Sequence, residues 1–209
     1  MVDCSLDKKV LHPDVVIVGS GAGGATFART IAPSGVTILI VERGNYLTVT
    51  PDMLNEKFIH RDGQFISRET WYNTSGQAFN PWIYYYVGGN TKFFGANMPR
   101  YKQEDFQETE HIGGISPAWP FSYEQFESYY CLAEELFRVR GECSENLHST
   151  PRSQPYPYPA VPDEPSILKV RERIEKSNVR TYSSPLCADE QWMKSTPITW
   201  DAYPNTGTV

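Results

Sequence analysis

The chain has 209 residues, 40% of them hydrophobic, and a net charge of −6, enough for one core or for one domain with the start of a second. Its 19 basic residues are dispersed, which excludes the concentrated positive face of a nucleic-acid binder. No apolar run approaches the roughly 20 residues of a membrane span, and residues 1–12 are too polar for a signal peptide, so they read as a short leader on a cytoplasmic protein.

Four cysteines, Cys4, Cys131, Cys143 and Cys187, are far apart and form no CxxC pair, so neither a zinc site nor a redox dithiol is expected and no metal is assigned. Asn73-Thr74-Ser75 matches a glycosylation sequon, which matters only in a secreted protein.

In chain order, residues 14–18 (DVVIV) form a short β-branched apolar run, the pattern of a strand buried on both faces. A glycine-rich turn follows, and Ala25 to Ile31 then shows helical apolar spacing, ended by Pro33 and Gly35. Val36 to Val41 reads as the second strand. The next βα repeat does not arrive. Residues 45–86 are loop-rich instead, with Trp71, Tyr72, Trp82 and three consecutive tyrosines at 84–86; these aromatics are expected to pack beneath a long loop rather than to line a channel.

Residues 121–140 predict an amphipathic helix with Ser122 as N-cap, Gln125 completing a capping box and Gly141 as its stop. Its expected buried positions are Phe126, Tyr129, Tyr130, Leu132, Ala133, Leu136 and Phe137. Cys131 lies among them and reads as a small core residue, with no cation nearby in sequence to lower its pKa. Residues 151–165 carry six prolines, which predicts an extended crossover without regular structure. A charged surface helix over Ile167 to Ser177 and an aperiodic stretch from Thr196 to Val209 complete the chain.

The turn Gly19-Ser20-Gly21-Ala22-Gly23-Gly24 satisfies GxGxxG between a strand and a helix, the context in which that motif binds a dinucleotide. Gly19 permits the tight turn, Gly21 lets the backbone approach a pyrophosphate and Gly24 allows close helix–strand packing. The helix N-terminus adds unpaired N–H groups and the positive end of its dipole. Glu42 follows the second strand, 23 positions after Gly19, near the spacing of about 20 expected for the carboxylate that accepts ribose hydroxyls; its charge disfavours a 2′-phosphate. Glu42-Arg43-Gly44 leads into aromatic loops instead of a third βα unit, and this favours FAD over NAD. A second backbone-exposing segment, Gly88-Gly89-Asn90-Thr91 with Gly95-Ala96, could lay main-chain N–H groups against a flat ring, with Asn90 and Thr91 bonding the ring's edge. The same glycines would also serve a sharp turn.

The segments DVVIVGSGAGGATFA, IVERG, YVGGNTKFFGANMPRY and WPFSYEQFESYYCLAEELFRVRG occur in this order, and together they resemble the glucose–methanol–choline (GMC) oxidoreductases, in particular the pyranose-oxidase-like and choline-dehydrogenase-like branch. The resemblance covers residues 14–165. It implies that the GG-containing segment passes the flavin ring. Phe93 falls where some members carry a His bonded covalently to FAD, which implies noncovalent FAD here. It further implies oxidation of a small alcohol or sugar by hydride transfer to flavin N5. The catalytic His, with its second His or Asn, lies beyond Val209 in such proteins, so no catalytic residue is assigned. His12, His60, His111 and His148 read as solvated or packing residues, and Lys92 as a solvent-facing loop residue.

The expected fold class is α/β: an FAD-binding Rossmann-like βαβ unit over residues 14–44 with a loop-rich insertion, plus the start of a substrate-binding α+β region, incomplete relative to the family. The expected domains are a leader (1–12), the N-terminal portion of an FAD-binding domain (13–150), the proline-rich crossover (151–165) and the start of the substrate-binding region (166–209). Two readings compete with an FAD-dependent alcohol oxidoreductase. One is a catalytically inactive FAD-binding fragment and the other an NAD-dependent dehydrogenase.

Overall fold

Strand β1 (Val15–Val18) and strand β2 (Ile38–Val41) pair in parallel, Val15 opposite Ile38 and Val18 opposite Val41. A parallel pair needs a crossover, and helix α1 (Ala22–Ile31) supplies it. The chain then turns through a short 3₁₀ segment, Ala32–Ser34, where Pro33 sits in the first turn and Gly35 adopts φ 79° at the exit. A computed structural model describes residues 10–48, 50, 55, 57–143 and 150–188. Most of the leader, Cys4, His148 and the stretch 196–209 therefore lie outside the described residues.

Among these, the described residues up to Phe94 form one compact unit and those from Gly95 onward a second. The first unit is mixed α/β and holds the Rossmann-like βαβ. Its strands differ from the expectation of burial on both faces: Ile17 is buried, but Val16 is 54% and Val18 87% exposed. Val16 and Val18 point to the face opposite Ile17, and Gly24 of α1 lies against the Ile17 side chain, so only one face of the strand is covered among the described residues. Each valine left in water forgoes about 1.5–3 kcal/mol of burial. Further along, β3 (Trp71–Tyr72) and β4 (Ala78–Phe79) form a small antiparallel hairpin. The aromatic stretch packs less than expected: Trp71, Tyr72, Phe79 and Trp82 all stay exposed. Ring packing gathers instead on Phe93, which stacks on Tyr84 at 4.2 Å and on Phe65 at 5.5 Å.

In the second unit a hairpin, β5 (Thr109–His111) and β6 (Gly114–Ser116), precedes helix α2 (Tyr123–Leu136). Ser122 caps α2 by accepting the Gln125 N–H, and the Gln125 side chain accepts the Ser122 N–H, the reciprocal capping expected from sequence. The helix ends earlier than Gly141. Arg138 takes a left-handed φ of 53°, and Gly141 closes strand β7 (Val139–Gly141), where Tyr156 packs against it. β7 is the centre of a three-stranded sheet, with β8 (Tyr158–Pro159) parallel on one side and β9 (Leu186–Cys187) antiparallel on the other. The proline-rich crossover thus contains one short strand, placed where a proline costs least, on a sheet edge. Helix α3 (Pro165–Glu175) begins on a proline, whose missing N–H is no loss at that position.

The core of this unit departs from the apolar list read off α2. Tyr123 and Glu134 are its buried residues, while Tyr129 and Leu132 are 61% and 66% exposed. Residues 123, 127, 131 and 134 recur at helical spacing, and this polar stripe faces Arg100. The Arg100 guanidinium donates to both oxygens of Glu134 at 2.8 Å, to Glu127 at 2.8 Å and to the Tyr123 hydroxyl at 3.1 Å. Arg152 donates to the same two Glu134 oxygens. Cys131 is therefore no inert apolar filler: Arg100 Nη2 lies 3.3 Å from its sulfur. Sequence distance concealed that cation, which comes from 31 residues away. Beside the stripe, Phe106 is buried under Trp119, Phe121, Tyr123 and Phe126, with ring centroids 5.7–6.1 Å away.

Candidate functional site

The turn between β1 and α1 is built by two glycines for two reasons. Gly19 sits at φ 93°, a conformation that strains any residue with a Cβ, while its N–H donates to Val41 O and closes the turn onto β2. Gly24 is fixed by contact: a Cβ there would stand 2.1 Å from Gly19 O, so α1 starts only if that side chain is absent. Gly21 is the N-cap of α1, and no side chain caps the helix. The first N–H groups of α1, including those of Ala22 and Gly23, therefore point out of its end toward any acceptor that arrives. A Cβ on Gly21 would meet nothing closer than Gly88 O at 4.0 Å, and one on Gly89 would lie 3.9 Å from Gly21 Cα. The Gly21 and Gly89 backbones thus face each other with no side chain between them, as a pyrophosphate cradle needs, while the Lys92 side chain lies against Gly88, its Cε 2.8 Å from where a Cβ would stand.

Glu42 stands directly after β2 and closes one side of this space. Its Oε2 accepts the Ser20 N–H at 2.9 Å and the Ser20 hydroxyl at 2.6 Å, and its Oε1 accepts the Gly44 N–H at 3.0 Å. These bonds, the Ser20 hydroxyl's above all, hold the carboxyl down at about 2, against an ordinary value of 4.5. Glu42 is therefore ionised at any ordinary pH. A carboxylate has about four lone-pair directions; Ser20 and Gly44 use three, and the Arg43 N–H also stabilises the charge, so a ribose hydroxyl would share Glu42 with these donors.

Ser20 joins the two glycine segments. While its hydroxyl donates to Glu42, the same oxygen accepts the Gly88 N–H at 2.9 Å across a sequence separation of 68. The second segment is a 3₁₀ turn over Gly89–Phe93, entered through Gly88 at φ 93°. Inside it Asn90 Oδ1 accepts the Tyr84 N–H at 3.1 Å and the Thr91 hydroxyl donates to Gly88 O, so both side chains brace the turn. Gly95 and Ala96 belong to the second unit, where Ala96 takes a left-handed φ of 61° and its carbonyl accepts the Cys187 N–H.

Gly44 fits its position by contact. A Cβ there would stand 2.2 Å from Tyr85 O, and Asn45 bridges to Tyr86. This close passage carries the Arg43 side chain onto the Tyr85 ring, its guanidinium carbon 3.7 Å from the centroid, and within 3.4 Å of Glu69. The Tyr85 hydroxyl also donates to Glu69. Glu69 and Tyr85 are additions that sequence reading missed. The pairings span 26 and 16 residues through a loop of no fixed period, and no local signal marks them. Ser20 was legible as a member of the turn but not as its joint.

Fold and turn define a Rossmann-like dinucleotide-binding unit, and the family model described as "NAD(P)-binding Rossmann-like domain" matches residues 17–63. Curated proteins similar to this chain include GMC-type oxidoreductases and alcohol and sugar oxidases and dehydrogenases. The chain is 28% identical over 175 residues to 6'''-hydroxyparomomycin C oxidase of Streptomyces lividus, covering 83% of this chain and 31% of that protein. To 2-methyl-1,2-propanediol dehydrogenase of Mycolicibacterium austroafricanum it is 29% identical over 141 residues, 61% of this chain and 25% of the relative. An uncharacterized GMC-type oxidoreductase of Mycobacterium tuberculosis is 50% identical over 40 residues, which are 19% of this chain and 6% of that one. The chain spans a third or less of the curated relatives it matches. Among the described residues no helix is long and apolar enough to cross a membrane.

Proposed function

We propose that the chain is the FAD-binding portion of an oxidoreductase acting on the CH–OH group of a small alcohol or sugar, with FAD held noncovalently. The observation that carries this reading is the Ser20 junction. One hydroxyl ties the phosphate turn, the carboxylate for the ribose and the Gly88 segment into a single site. The residues fit the group at three points. The open N-terminus of α1 with Gly19, Gly21, Ala22, Gly23 and Gly24 would hold the pyrophosphate, and Glu42 with the Arg43-Gly44 backbone would hold the ribose. Gly88, Gly89, Asn90 and Thr91 would lie along the ring; Gly95 and Ala96 are assigned to it from the sequence alone. Phe93 supports the noncovalent assignment, since a phenyl ring has no atom able to bond the flavin, and it is already stacked on Tyr84.

Bound FAD would supply the hydride-accepting ring, the part of the chemistry a protein cannot make from side chains. What this chain contributes is orientation: helix N–H groups and a permanently ionised Glu42 fix the cofactor's adenosine end. The relatives' printed names, a paromomycin-type oxidase and a propanediol dehydrogenase, support an alcohol or sugar as the substrate of the parent protein. The domain scheme of residues 13–150, 151–165 and 166–209 and a cytoplasmic location belong to the same proposal, as does the pyranose-oxidase-like and choline-dehydrogenase-like branch.

The nicotinamide reading has the 17–63 match in its favour, so the test separates the two cofactors. The purified chain is mixed with FAD or with NADH, and binding is followed by visible absorbance and by nicotinamide fluorescence. Yellow protein that retains FAD through a desalting column, and loses it at least tenfold more readily after Glu42→Ala, is the expected result. A colourless protein that ignores FAD refutes the proposal, and capture of NADH instead establishes the dehydrogenase reading. Bleaching of bound FAD by an alcohol under anaerobic conditions would show that catalysis needs nothing beyond this chain; no bleaching is expected.

A further inference from the structure

Arg43 follows Glu42 directly, at the position from which a cation could reach a phosphate on the adenosine ribose. An arginine near the ribose is the standard way for such a fold to accommodate a 2′-phosphate. In this chain the guanidinium is committed elsewhere. It lies flat over the Tyr85 ring at 3.7 Å, a cation–π arrangement, and its Nη1 reaches Glu69 Oε2 at 3.4 Å. The Tyr85 hydroxyl donates to the same Glu69 oxygen, Oε2, and Tyr85 is itself pinned, because its carbonyl packs against the Gly44 backbone. The three side chains make a closed triangle anchored on the same turn that positions Glu42.

We propose that Glu69 and Tyr85 sequester Arg43, so that the site accepts adenine dinucleotides with a free 2′-hydroxyl and rejects their 2′-phosphates. This inference rests on the dinucleotide reading of the site and sharpens it to a class of ligand. The charge count explains the effect. Glu42 and Glu69 carry two negative charges against the single positive charge of Arg43, so the ribose side of the turn keeps a net negative field toward a phosphate. Releasing Arg43 from Glu69 cancels that field and frees five N–H donors in a fork that matches phosphate geometry. The triangle is a latch on specificity and takes no part in chemistry.

The test uses the full 209-residue chain and two soluble probes, ADP-ribose and its 2′-phosphate, titrated by calorimetry at low salt, where exposed charges act most strongly. The wild type is expected to bind ADP-ribose about tenfold or more tightly than the phosphorylated probe, the scale of one exposed charge interaction. Glu69→Gln should leave ADP-ribose affinity unchanged and narrow that preference to about threefold or less, the gain coming from Arg43. Adding Arg43→Gln to Glu69→Gln should restore rejection, an outcome that a general loosening of the loop would not produce. An unchanged preference in Glu69→Gln, or a preference that stays narrow in the double variant, overturns the inference while leaving the site intact. Failure of the wild type to bind ADP-ribose at all overturns the dinucleotide reading, and the inference falls with it.

Discussion

The N-terminus of α1 in the first unit is left open beside Gly21, whereas the N-terminus of α2 in the second is closed by Ser122 and Gln125. The same contrast runs through the rest of each unit. Around α1 the strands are half bare, no side chain stands between Gly21 and Gly89, and the helix's first N–H groups have no side-chain acceptor. Around α2 every donor of Arg100 is engaged, Glu134 accepts from two arginines, and Phe106 lies under four rings. The first unit leaves the N–H groups that the proposed dinucleotide site needs without side-chain acceptors. Around α2 the second unit's polar groups are paired and serve stability, although on β7 the buried Arg140 Nε has no hydrogen-bond partner among the described residues.

The largest expected effect breaks the second unit. Arg100→Leu leaves Glu134, whose side chain is 6% exposed, with Arg152 alone, leaves Glu127 with Ser153 and Cys131 but no cation, and leaves the Tyr123 hydroxyl with only the Pro151 carbonyl. Removing one partner of a buried charge network costs about 3–5 kcal/mol, measurable as a lowered midpoint in urea. Arg100→Lys should recover little, because a single ammonium cannot donate to Glu134 and Glu127 in a fork. If the contrast between units holds, dinucleotide affinity per folded molecule stays where it was.

Acid provides the next test. Hydrogen bonds from Arg100 and from Ser153 hold Glu127 at about 2, and Arg100 and Arg152 also lower Glu134 against the opposing effect of its burial. A lowered carboxyl contributes stability that is fully present above its ordinary value of 4.5 and is lost as pH falls through the folded value. Unfolding should therefore ease progressively between pH 4.5 and about pH 2. Glu127→Gln should flatten that slope, as read from urea midpoints at several pH values. Glu42 titrates in the same window. In Glu42→Gln, however, the acid dependence should vanish from ligand binding, because Glu42 is the carboxylate proposed to meet the ribose.

How much of this was legible in sequence follows the same division. The βαβ unit, the cap at Ser122 and the spacing of Gly19, Gly24 and Glu42 could be read, because each depends on residues within one element or on a fixed motif length. Arg100, Glu69 and Tyr85 could not. Their partners lie 16 to 34 residues away through loops without period. The apolar reading of α2 departed at Tyr129 and Leu132 for a related reason. Hydrophobic rank picked Tyr129 and Leu132, but a buried cation had already made Glu127 and Glu134 the better inward residues. Glutamates seven apart on one face, in line with Tyr123, were the available clue.

The smallest effects on stability separate the two helix ends. Ser122→Ala should cost about 1 kcal/mol through loss of the cap, with no change in dinucleotide affinity. Gly21→Ser is the mirror experiment. Its Cβ has room, with Gly88 O at 4.0 Å as the nearest atom, and Gly21 already has an extended φ of −65° and ψ of −177°. A serine there can accept an N–H of α1 as Ser122 does in α2, so thermal unfolding should move by only a few tenths of a kcal/mol, and toward stability. Binding of ADP-ribose should nevertheless fall by tenfold or more, because the new hydroxyl takes an N–H and fills space required by the pyrophosphate. If Gly21→Ser gained the cap and still bound as well as the wild type, the open end of α1 would not be a phosphate site.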